Sequence, residues 1–71
     1  MTNSEMFRKK VDSCGVTITY LAKMLGITRE ALYNKIRNET EFKASEISCV
    51  AKVLNLTQRE INEIFFAKDV N

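Results

Sequence analysis

The chain reads as an all-α domain of five short helices, and three features of the sequence carry that reading. Proline is absent, so no backbone donor is missing anywhere a helix could run. Glycine occurs only at 15 and 26, and each follows an apolar stripe that a left-handed residue can end within one turn. Between these stops, apolar residues recur at three- and four-residue spacing, the period of an amphipathic helix. Seventy-one residues leave room for one core, so residues 1–71 form a single domain. A domain this short is marginal unless it is well packed or dimeric.

The first helix begins in T-N-S-E-M-F, with Thr2 and Glu5 in capping-box spacing or Ser4 as the cap, and Gly15 ends it. Phe7, Val11 and Cys14 share one face and are expected in the core. Arg8, Lys9 and Lys10 lie on the other faces, turned either to phosphate or to water. Thr17 caps the second helix, in which Ile18, Leu21, Ala22 and Leu25 form the apolar stripe. Gly26 breaks that stripe, and Thr28 caps a third helix two residues later. Ala22 is small, which lets the third helix cross the second closely. Residues 18–37 therefore read as helix, tight turn, helix.

At about 100° per residue, Arg29, Glu30, Tyr33, Asn34 and Arg37 fall on one arc of the third helix, and Ala31, Leu32 and Ile36 fall on the other. The outward arc carries side chains of the kinds that read base edges. Arg offers two donors to guanine, Asn a donor and an acceptor to adenine, Glu an acceptor to cytosine, and Tyr a hydroxyl and a ring to phosphate or a thymine methyl. Lys35 stands in the middle of the inward arc, where its stem can pack while its ammonium reaches back to water.

After Arg37, N-E-T-E-F-K is a polar loop whose one apolar member, Phe42, turns inward. A fourth helix over about 43–54 shows Ile47, Val50, Ala51 and Leu54 on one stripe, with Cys49 and Val53 beside it. Asn55 ends it in a left-handed cap, Leu56 tucks in, and T-Q-R-E at 57–60 has capping-box spacing for a fifth helix. In that helix Ile61, Ile64 and Phe65 suit the core, whereas Phe66 and Ala67 look outward. An exposed aromatic on so small a domain asks for a partner.

The segment L-A-K-M-L-G-I-T-R-E-A-L-Y-N-K-I resembles the helix-turn-helix of the lambda-repressor-like superfamily, the Cro/CI and XRE-type regulators of phages and bacteria. A-K-V-L-N-L at 51–56 likewise resembles the end of that family's fourth helix. The resemblance implies a five-helix lambda-repressor-like DNA-binding domain with its helix-turn-helix at helices 2 and 3. It further implies a sequence-specific regulator of transcription, a repressor acting by occupancy of a double-stranded DNA operator, comparable to short phage or prophage regulators. Such a protein works in the cytoplasm of a bacterial cell or phage-infected host, at the nucleoid.

On this reading Arg29, Glu30, Tyr33, Asn34 and Arg37 contact bases, and Thr17, Ile18, Thr28, Asn38 and Lys43 hold the DNA backbone. Ile18 does so through its main chain. Where many members of the family carry a backbone-touching glutamine, this chain has Ile18; where they carry a large apolar residue, it has Lys35. Members of the family often pair through their last helix, which places Ile64 and Phe66 at a homodimer interface. The other reading of that end is a monomer with Phe66 folded back on the first helix. For the segment 38–43, a solvated acidic loop stands equally beside the backbone-contact reading.

Net charge is only +2, but its distribution is uneven. Residues 1–37 hold seven Lys and Arg against three Asp and Glu, while 38–71 hold four against six. The basic half contains the paired helices, a polarity that suits one face turned to phosphates. Histidine is absent and the two cysteines, Cys14 and Cys49, stand far apart, so no metal site or cofactor is expected, and both read as small apolar fillers. No leader, lipidation motif or membrane-spanning run is read. Neither a small-molecule ligand nor an enzymatic activity is expected: no nucleophile stands beside a base and no phosphate loop occurs. The alternative function is a protein-binding module of the same fold, acting as an antirepressor or regulatory partner.

Overall fold

A computed structural model describes residues 1–67, so the last four residues of the domain expected over 1–71 lie outside the described residues. Five helices follow in order: α1 (Ser4–Cys14), α2 (Ile18–Leu25), α3 (Arg29–Ile36), α4 (Ala44–Val53) and α5 (Gln58–Phe65). Among the described residues there is no strand, and no helix is long and apolar enough to cross a membrane. The all-α expectation with five helices agrees with this architecture.

Helix ends are set by local chemistry. Thr17, Thr28 and Thr57 each accept from the backbone N–H three residues on, which satisfies one of the orphan donors of a first turn. At Thr57 the box is complete, because Glu60 accepts in return from the Thr57 N–H at 2.9 Å. The cap of α1 differs from both expected residues: Asn3 accepts from the Met6 N–H at 3.1 Å. Thr2 and Ser4 are occupied elsewhere. Thr2 is buried, its backbone bonded to Asn38, and the Ser4 hydroxyl donates to the carbonyl of Ile36. Tertiary contacts thus hold the Thr2 backbone and the Ser4 hydroxyl, and the Asn3 amide makes the cap.

Three helices close by one device. After α2 the Gly26 N–H reaches Lys23 O and the Ile27 N–H reaches Ala22 O, both at 3.1 Å. Asn38 and Asn55 repeat the pattern after α3 and α4, each at positive φ, 66° and 52°. This is the six-to-one closure that needs a left-handed residue, filled by glycine once and by asparagine twice.

The core gathers Phe7 and Val11 of α1, Leu21 and Ala22 of α2, Leu32 and Ile36 of α3, Val50 with Leu54 at the end of α4, and Ile64 with Phe65 of α5. Phe42 enters from the loop as expected, stacked on Phe7 at 5.7 Å and edge-on to Phe65 at 5.1 Å. Such aromatic contacts stabilise beyond their buried area. Helix α2 packs on both α3 and α4, and α5 closes the bundle against α1 and α4. The chain start is stitched to its far end: the Asn3 N–H donates to Ile64 O at 2.7 Å.

Three expectations are corrected by this packing. Cys14 is exposed, because it stands in the last turn of α1 beyond the core; its thiol meets the Leu54 carbonyl at 3.5 Å. Ile64 is only 2 % exposed and belongs to the core, so its surface cannot also form a dimer interface. The Lys35 ammonium does not return to water. It pairs with Glu46 at 3.1 Å, with both side chains about nine-tenths covered, and also donates to the Glu41 carbonyl at 3.0 Å.

Candidate nucleic-acid interface

The buried side of α3 explains where its other side points. Leu32 and Ile36 are wholly enclosed, so at helical period Arg29, Glu30, Tyr33, Asn34 and Arg37 must lie on the rest of the circumference. Arg29, Glu30 and Arg37 are exposed, while Tyr33 and Asn34 are half-buried. The structure therefore brings all five expected base-contacting residues onto one surface. They form one solvent-facing ridge.

That ridge is internally bonded. An Nη of Arg37 donates to Asn34 Oδ1 at 2.6 Å and lies 3.6 Å from a Glu30 oxygen, while its Nε donates to Glu39 Oε2 at 2.9 Å. The bond to Glu39, then the charges of Glu39 and Glu30, hold the Arg37 pKa above its already high ordinary value. Arg37 stays charged at any accessible pH. Arg8, from α1, places its guanidinium 5.8 Å over the Tyr33 ring, a cation–π contact that carries the basic surface beyond α3.

Thr17 and Thr28 are exposed at the first turns of α2 and α3. Each hydroxyl accepts from an amide at 3.0 Å and still has its own hydrogen to donate, the requirement for gripping a phosphate oxygen. The Ile18 side chain packs on the core, leaving its main chain in the first turn of α2, where amides lack helical partners. Lys43 is exposed just before α4, and its backbone N–H donates to Glu46 at 2.7 Å. Asn38 is placed differently. Its amide accepts from the Thr2 N–H at 2.8 Å and donates to the Thr2 carbonyl at 2.9 Å, so both ends fasten the chain start.

Phe66 is 59 % exposed and does not fold back on α1. Beside it Met1, Thr2, Asn38, Glu41, Phe42, Ile47 and Phe65 line an open hollow of about 210 Å³. Sequence reasoning missed Glu39 as the partner of Arg37, Arg8 as the neighbour of Tyr33, and Glu46 altogether. A helical wheel carries no signal for the first, since residues two apart do not face one another on a helix; the left-handed Asn38 brings them together. The second and third join residues 25 and 11 positions apart, beyond any local pattern.

Comparison with family models, curated proteins and solved structures finds no match to this chain. The assignment of this surface therefore rests on its residues and their geometry.

Proposed function

We propose that the protein is a sequence-specific double-stranded-DNA-binding regulator of transcription, in which α2 and α3 form a helix-turn-helix and α3 enters the major groove. One observation carries this reading: α3 follows α2 across a three-residue turn, buries Leu32 and Ile36, and turns Arg29, Glu30, Tyr33, Asn34 and Arg37 outward together. A recognition helix needs that division, a wedged rear face and a polar front face at its N-terminal end. Thr17, Ile18 and Thr28 stand at the two helix N-termini, where donors and partial positive charge favour phosphates. Arg8 and Lys43 extend the basic margin. Regulation would follow from occupancy of an operator, which makes repression the simplest outcome.

Two copies meeting at the Phe66 end would place two α3 helices about one DNA turn, ~34 Å, apart on a palindromic site. Phe66 and Met1, both exposed, are the apolar groups available there. Selection of bound sequences from random duplexes, followed by titration of the winning duplex at two salt concentrations, tests the whole reading. A palindrome bound with a steep salt dependence is the expected result; a single asymmetric half-site would retain the regulator and remove the dimer. Absence of any enriched sequence would overturn DNA reading. The mutual neutralisation of Arg37, Glu30 and Glu39 favours a second reading in that event, a surface that recognises another protein.

A further inference from the structure

Resting on the DNA-binding reading, we propose that Arg37 is a positioning residue: it fixes which way round Asn34 presents its amide, so that Asn34 meets a base edge that accepts hydrogen bonds, guanine or thymine. Arg37 and Asn34 meet in a contact whose direction is fixed by chemistry. Arg37 has only donors, so the atom of Asn34 that faces it at 2.6 Å must be the oxygen. The NH₂ group then occupies the other side of the amide.

Two carboxylates hold the guanidinium beside Asn34. Its Nε is held by Glu39 at 2.9 Å and its Nη lies 3.6 Å from Glu30, so it is gripped from the loop and from the first turn of α3. Glu39 is itself fixed, since its backbone N–H closes α3 on the carbonyl of Asn34 at 2.8 Å. The half-buried Asn34 side chain is thus flanked by its own helix and by a cation.

Reading adenine with asparagine takes one donor and one acceptor, matched to N7 and the N6 amino group. Here the acceptor is spent on Arg37, and its remaining lone pair lies beside a positive charge. An adenine amino hydrogen approaching that oxygen would meet the guanidinium. Two N–H donors remain, and they match O6 and N7 of guanine or O4 of thymine. Arg37 acts through Asn34 and touches no base in this arrangement.

Selection from random duplexes with the unaltered protein, Asn34→Ala and Arg37→Met tests this. Asn34→Ala identifies the base position Asn34 reads, as the one that loses its preference. The unaltered protein is expected to prefer guanine or thymine there, and Arg37→Met to raise adenine relative to them at that position on the order of tenfold, with overall affinity measured separately. Circular dichroism melts of both variants check that each remains folded. Adenine preferred by the unaltered protein, an Arg37→Met preference identical to it, or an Asn34→Ala variant that loses no position would each overturn the inference while leaving DNA binding intact. Failure of the unaltered protein to enrich any sequence would overturn the DNA-binding reading, and this inference with it.

Discussion

Two cation–carboxylate groups leave the same helix two residues apart and have opposite standing. Lys35 and Glu46 meet at 3.1 Å under the Phe42 ring, with 12 % and 11 % of their side chains exposed. Arg37 meets Glu39 at 2.9 Å and Glu30 at 3.6 Å, with its own side chain 44 % exposed. Distance is alike, but solvent is not. Water and salt screen the second group, so its ion pairs add little to stability and serve to orient side chains. The first cannot lose a member without stranding a charge in a nearly closed site. One group anchors α3 to α4 and the loop; the other arranges side chains on the exposed face of α3.

The largest expected effect breaks the covered pair. Glu46→Ala strands the Lys35 ammonium and removes the acceptor for the Lys43 N–H, and should lower unfolding free energy by about 3–5 kcal/mol in urea titration. Combining it with Lys35→Met should recover most of that loss, because no unpaired charge then remains. A double variant as unstable as the single one would show that the contact is not the cause.

Acid should open the same pair. Burial pushes the Glu46 carboxyl up, but the Lys43 N–H and the Lys35 ammonium together favour its charged form more, leaving its pKa below the ordinary value. A carboxyl depressed in the folded state contributes its full stability above its unfolded value of about 4.3, and loses it as pH falls through the lower folded value. Melting temperature should therefore drop on acidification below about pH 4, and drop less in Glu46→Gln.

A smaller effect belongs to the helix start that faces the proposed groove. Thr28→Ala removes the cap that accepts from the Ala31 N–H, and should cost about 1 kcal/mol by denaturant titration. The smallest belongs to the exposed group. Glu39→Gln should change stability by less than about 0.5 kcal/mol, and a larger loss would place this pair with the covered one.

Much of the scaffold was legible because it is local. Thr17, Thr28 and the Thr57–Glu60 box each act within three residues, and Gly26 and Asn55 act through their own backbone angles. The surface of α3 was legible for the same reason, since period alone sorts its residues once Leu32 and Ile36 are known to be apolar. What could not be read joins distant residues. Asn3 caps α1 because Thr2 and Ser4 are claimed by Asn38 and Ile36, more than thirty positions away. Asn38, expected on a phosphate, holds Thr2 instead, and Ile64, expected at an interface, is enclosed by the core. Apolar periodicity predicts that a face is covered, without saying whether the protomer or a partner covers it.

The sequence by itself determined the helices, their stops and the outward set on α3, because short-range hydrogen bonding and the 3.6-residue period act along the chain. Tertiary structure alone decided which distant polar groups are already engaged: Lys35 by Glu46 and Asn38 by Thr2. A charge or amide has no directional preference written into sequence. Its partner is whichever group the packed helices bring within about 3 Å.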